Sequence, residues 1–247
     1  MIKDIDFNKT ALPELKKKMD MTLQDMVGRF YTSVPGATYL KDSKDINVEY
    51  YKRSVVEIIL RLRMKRTIDA LTIHYFTKNN PFLAKKWSQY TEDEMLHDRM
   101  FAADIERLGM STDDIYDTEP FFSTKLLQGY FYYGLEHEGR PLASLVSSYF
   151  IEKMSVYTQP AWMENVENVL SKGSAKGHLA HLKHDIEDDH SDFVWNVLST
   201  FISTDEDEKR VVDHLENVFQ LFCSYYTEIH NKYFSDQEFE FRVSSVA

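Results

Sequence analysis

Cysteine is nearly absent. Cys223 is the single thiol in 247 residues, which excludes an internal disulfide and fits a reducing, cytoplasmic compartment. It lies in the apolar helical run Leu221-Phe-Cys-Ser-Tyr-Tyr226 and reads as core filler rather than a nucleophile. Six prolines and eight glycines are few, and most fall between long periodic segments, so helices are expected and no strand pattern competes. Positive charge is also scarce. With 29 Lys and Arg against 40 Asp and Glu, the net charge is −11, and the cation excess that would neutralise nucleic-acid phosphates or an anionic membrane is missing. No apolar run reaches the roughly 18 residues a membrane span needs, and Met1-Ile-Lys-Asp-Ile-Asp-Phe7 lacks a signal peptide's apolar stretch.

Apolar residues, by contrast, are plentiful. At 43% hydrophobic and 14% aromatic, the chain can bury a large core, and without repeats or linkers it is expected to form one all-α domain over 1–247. Helices are predicted over about 13–31, 48–76, 81–108, 124–135 and 141–157, near 162–170, from 177 to about 202, and over 209–233. Pro81 and Pro141 suit first helical turns, Gly109 a helix end, and Pro160 a bend or stop. Thr204-Asp-Glu-Asp-Glu208 caps the last helix, with acids placed well for its dipole.

Two stretches carry the chemistry: Tyr90-Thr-Glu-Asp-Glu94-Met-Leu-His97 and His184-Asp-Ile-Glu187-Asp-Asp-His190. Each holds Glu-x-x-His, which on a helix projects a carboxylate and an imidazole from one side. Two such pairs, each joined by a Glu from a further helix, form the dinuclear carboxylate site of helical bundles. Glu57 and Glu152 supply the two extra acids. The order Glu, Glu-x-x-His, Glu, Glu-x-x-His has gaps of 37, 55 and 35 residues, each fitting one long helix and its connection. A single Glu-x-x-His would be a weak signal.

Helical phase sharpens the choice. At about 100° per residue, Glu94 and His97 share an arc with Trp87, Tyr90, Phe101 and Ile105, whereas Glu92 points away. Glu57 lines up with Leu60, Met64 and Ile68, and Glu152 falls among Leu145, Tyr149 and Val156. His190 lies among Leu182, Ile186, Phe193 and Val197, with Glu187 near the stripe's edge. Four ionised carboxylates on apolar faces would each be costly to bury and would repel one another. Divalent metal ions remove that cost. The competing explanations are ion pairs, Glu57 with Arg53 or Arg61 and Glu152 with Lys153 or another cation, and ordinary hydrogen-bonded core histidines at His97 and His190.

From Val48 to Tyr233 the chain resembles the haem-oxygenase-like diiron oxidases and oxygenases. The resemblance rests on Tyr90-Thr-Glu-Asp-Glu-Met-Leu-His97 with Phe101 and Leu108-Gly109, on Pro141-Leu-Ala-Ser-Leu145 with Tyr149-Phe-Ile-Glu152, and on His184-Asp-Ile-Glu-Asp-Asp-His190. It implies a seven-helix bundle with a dinuclear metal site in its core. Two irons would activate O2 there on a small organic substrate, an amino acid or fatty acid, by N-oxygenation, desaturation or oxidative carbon–carbon cleavage in specialised metabolism. By that likeness Glu57, Glu94, His97 and Glu152 are ligands. The third ligand helix departs from the family's His-x-x-x-Asp-x-x-His, because Glu187 and His190 match its last two positions but Lys183 occupies the first. His184 could substitute, or His181 and Asp185 with His190 if one residue bulges out as in a π-turn; Asp188 is a further candidate.

A donor set rich in oxygen and poor in imidazole suits Fe, with Mn as the other option. Expected partners are a small-molecule substrate and O2; an electron donor and a homodimer are left open. An anionic substrate would need a nearby cation, for which Arg140 and Lys153 are candidates. The alternatives are a ferritin-like iron store or stress protein, a haem enzyme of the same fold, a thiaminase-type hydrolase using Cys223, and a metal-free helical interaction module.

Overall fold

The computed structural model describes residues 6–187 and 190–235, with residues 185–187 described for the backbone alone. Among them are eleven helical stretches rather than seven. They are α1 Pro13–Ser33, α2 Tyr39–Asp42, α3 Val48–Asn79, α4 Pro81–Glu94, α5 His97–Arg107, α6 Thr112–Asp117, α7 Phe122–Glu136, α8 Leu142–Val169, α9 Lys176–Glu187, α10 His190–Ser199 and α11 Asp205–Phe234. No helix among the described residues is long and apolar enough to cross a membrane.

The helix starts follow local chemistry. Asn47 accepts the free N–H groups of Glu49 and Tyr50 at 2.9 and 3.1 Å and so opens α3. Asn80 does the same for Phe82 and Leu83, ahead of Pro81, whose missing N–H costs nothing in a first turn. Thr204 and Asp207 form a capping box on α11. In the connection after α5, Ser111 caps the short α6 by accepting from Asp114 at 3.1 Å.

Two expectations about helix continuity are corrected. Pro160 does not stop its helix, and α8 runs through it to Val169. Pro160 is exposed, so the carbonyl it leaves unbonded faces solvent, where water takes the place of the lost N–H. The predicted helix over 81–108 is instead divided at Met95 and Leu96. Leu96 has φ −119° and ψ 10°, outside helical values, and both side chains are exposed.

The long α8 is the axis of the bundle. It packs against α1, α2, α7, α9, α10 and α11, while α3 packs against α4, α5 and α7, and α5 against α9. Trp87, Tyr149, Phe150 and Trp195 are fully buried where these faces meet. Large aromatic side chains each remove enough apolar surface from water to stabilise such contacts by about 2–3 kcal/mol.

The α5–α9 contact is unusually close. A Cβ on Gly177 would lie 2.0 Å from the Met100 carbonyl oxygen, so the helices meet backbone to side-chain-free backbone. Asp104, fully buried on α5, accepts the N–H groups of Gly177 and His178 at 2.8 and 2.9 Å and also pairs with Arg107. Burial pushes the Asp104 carboxyl up from its ordinary value, although these donors oppose the shift.

Candidate metal centre

Glu94 closes α4 and His97 opens α5, so the first Glu-x-x-His pair straddles the helix break instead of lying on one continuous helix. The two side chains still meet: His97 Nδ1 is 2.9 Å from Glu94 Oε2. His181 Nε2, from α9, lies 3.9 Å from the same oxygen, and His190 Nδ1, from α10, lies 3.2 Å from Glu94 Oε1. Both Glu94 oxygens thus face imidazoles from three helical stretches.

Around Glu94 two groups of three ligand-bearing side chains form, each with its ligand atoms within 4.8 Å of one another. One is Glu94, His97 and His181; the other is Glu94, Glu152 and His190. Glu152 comes from α8 and accepts a hydrogen bond from the Tyr90 hydroxyl at 2.7 Å. The rings are crowded: the His97 centroid is 4.4 Å from that of His181 and 5.6 Å from that of His184, which in turn is 5.4 Å from that of His190.

Electrostatics follow from that crowding. Burial alone would raise the Glu94 carboxyl, yet hydrogen bonds from His181, His190 and His97 hold it well below the usual carboxylate range. Burial, reinforced by the charges of Glu152 and Glu94, pushes the Tyr90 phenol well above its ordinary value, so it remains a protonated donor.

The donor set fits divalent metal. Glu94 belongs to both groups, with His97 and His181 in one and Glu152 and His190 in the other. Together they offer three imidazoles and two carboxylates, richer in imidazole than the sequence led one to expect, and such mixed donors suit a divalent transition metal. The His97 and His190 rings, which could have been ordinary core histidines, stand within hydrogen-bond reach of a buried carboxylate in a constellation that a cation would complete.

Glu57 is not brought into either group, contrary to the expectation that it is a ligand. Its Oε1 accepts from Arg53 and from the Phe121 N–H at 3.0 Å, and its Oε2 from the Thr124 hydroxyl at 2.5 Å. The physical reason is height along α3. Lys65, which shares a cavity lining with Glu94, and Asp69, which feels its charge, lie about 12 and 18 Å beyond Glu57 along the axis. Lys65 lines the cavity beside Tyr90 and Glu94, with its ammonium 2.7 and 2.8 Å from the Asp69 oxygens. Trp87 donates to Asp69 at 3.3 Å. Burial pushes the Asp69 carboxyl up, with Glu94 adding to the rise and Lys65 and Trp87 opposing it.

Of the remaining candidates, the side chains of Glu187 and Asp185, and Asp188 altogether, lie outside the described residues. His181, which needed a break in helical regularity to face inward, does face Glu94. Lys153 lies 3.5 Å from Asp20. Cys223 is half-buried on the outer groove between α1 and α11, and burial pushes its thiol up to about 11, which leaves little thiolate for a nucleophilic role.

A cavity of about 160 Å³ adjoins the groups, and its lining includes Glu94, Glu152, His181, Tyr90 and Lys65 together with Arg61, Trp162 and Tyr225. No family model matches the sequence, and no curated protein matches it either. Among solved structures the chain is similar to a crystal structure from Shewanella denitrificans OS217, described as a domain of unknown function with a haem-oxygenase-like fold. The TM-score is 0.76 at 21% identity, over 88% of this chain and 92% of that one. That likeness shows the architecture: the chain has a haem-oxygenase-like, all-α fold, with two His/Glu groups in its core that could hold metal.

Proposed function

We propose that the chain is a non-haem dinuclear-iron oxidoreductase that uses O2 to oxidise a small organic molecule held in the cavity beside Glu94. The observation that supports this most directly is the sharing of Glu94 between two three-ligand groups that border one cavity. In this reading Glu94, His97, His181, Glu152 and His190 would hold the metal, with Glu187 as a further ligand. Two ferrous ions there would supply electrons to O2.

The chain's own residues have separable tasks. Tyr90 orients Glu152 through its hydroxyl, an outer-sphere role that fixes which carboxylate lone pair faces the metal. Asp69 holds Lys65 against the rings of Trp87 and Tyr90, so that its charge is neutralised before a substrate enters. Phe101, Phe150 and Phe222 line the cavity with apolar surface, which suits a substrate with a hydrocarbon portion such as an amino acid or fatty acid.

The test is anaerobic titration of the full chain with Fe(II), followed by O2. Two irons per chain, a transient visible band on oxygenation, and loss of binding in Glu94→Ala are expected. A chain that binds no ferrous ion, or binds it equally well without Glu94, rules the proposal out. Hundreds of irons per assembly would instead indicate a store.

A further inference from the structure

We propose that Arg61 is the specificity-determining anchor for an anionic group on the cavity's ligand, so that the site takes a small monoanionic acid. This rests on the reading of the Glu94 groups as a metal centre whose substrate occupies the adjoining cavity.

The cavity has two cations in its lining, Arg61 and Lys65, one turn apart on α3. Lys65 is already neutralised by both oxygens of Asp69. Arg53, one turn from Glu57 in the other direction, is likewise paired, with Glu57. Arg61 forms no ion pair among the described residues. Its Nε–H donates to the Glu57 carbonyl at 3.2 Å, and its guanidinium carbon sits 4.0 Å from the centroid of the Tyr225 ring. Those contacts hold the guanidinium beside the Tyr225 ring, and a guanidinium offers a planar fork of donors that matches a carboxylate. Arg61 is half-buried, and a ligand carboxylate would give its guanidinium the ion pair that Arg53 and Lys65 already have.

Arg61 and the metal-ligating side chains border the same cavity from different positions. An acid gripped at Arg61 would therefore lie in the cavity that Glu94 and Glu152 also line. The volume limits the ligand. A cavity of about 150 Å³ accepts a benzene-sized guest, so one of about 160 Å³ suits an acid of six to nine or so non-hydrogen atoms. Arg140 and Lys153, the cations weighed from the sequence, are not among the residues lining this cavity.

The experiment uses the full chain loaded with Zn(II), which cannot turn a ligand over, and in parallel the chelator-treated chain. Hexanoate and its uncharged analogue hexanamide are titrated calorimetrically. Wild type is expected to bind hexanoate at least tenfold more tightly than hexanamide in both preparations. Arg61→Gln should abolish that preference while leaving hexanamide affinity and the Co(II) absorption spectrum unchanged. Arg61→Met, which keeps a stem over Tyr225, is held to the same outcome should the glutamine variant fail to fold. Equal binding of the two probes by wild type, a preference that survives both substitutions, or no binding of either at millimolar concentration overturns the proposal. If the Arg61-dependent preference holds but Co(II) does not bind, the metal-centre reading falls and the anchor stands; the converse result leaves a metal centre without this anchor.

Discussion

Tyr90 and Glu152, from α4 and α8, are joined by a single hydrogen bond of 2.7 Å from phenol to carboxylate. It ties the helix that supplies Glu94 to the helix that supplies the second carboxylate. Tyr90→Phe keeps the ring and removes the donor. Because an outer-sphere hydrogen bond to a ligand is worth about tenfold to a hundredfold in metal affinity, the variant should bind Co(II) at least tenfold more weakly, as read by competition with a chelating dye. Thermal stability of the metal-free chain should change far less.

Glu57 should behave in the opposite way. It is fully buried, and Glu57→Gln would leave Arg53 without its anion at the α3–α7 contact. Breaking a buried pair by removing one partner costs about 3–5 kcal/mol, so denaturant melts should show a loss of at least about 2 kcal/mol. Fe(II) stoichiometry should stay at the wild-type value. Loss of one metal per chain would instead restore Glu57 as a ligand.

A third test concerns pH. Lys16 of α1 lies 3.0 Å from Asp20 and 2.9 Å from Asp192 of α10. Burial opposes both charges, but hydrogen bonds from Lys16 and Thr10 hold Asp192 below its ordinary value, and the bonds that Lys16 donates to Asp192 and Asp20 hold Lys16 above its own. The depressed Asp192 contributes stability above the unfolded carboxyl value of 3.8 and loses it as pH falls through the lower folded value. The raised Lys16 contributes below 10.5 and loses it as pH rises through the folded value. Asp192→Asn should therefore lower stability by about 1–2 kcal/mol near neutral pH, with the gap from wild type closing as pH falls from 3.8 through the lower folded value. Melting temperatures across pH check it.

What the sequence disclosed was phase, and what it withheld was height. Glu94, His97, Glu152 and His190 all fall on buried faces, as spacing at about 100° per residue predicted, and Asn47, Asn80 with Pro81, and Thr204 marked their helix starts. Glu57 also lies on a buried face, but periodicity cannot say how far along a helix its neighbour crosses. About two turns separate Glu57 from Lys65, which shares a cavity lining with Glu94, and an arginine already completes Glu57. The break at Met95 and Leu96 carried no glycine or proline to announce it. His181 and His190 would lie on opposite sides of one regular helix, nine residues being about 900°. Both nevertheless reach Glu94. Arg61 was visible only as a prospective partner of Glu57; its distinction, an aromatic bed and no anion, depends on folds of chain far apart in sequence.

The missing side chain at Gly177 has a reach beyond its own turn. The contact it permits brings α9 against α5, and those helices carry His181 and His97, whose rings stand 4.4 Å apart. The gauge of the metal-binding cleft is therefore set by a hydrogen atom some distance from any ligand. Even one methyl group at that spot would wedge the jaws open, and the loss would be felt first in metal retention.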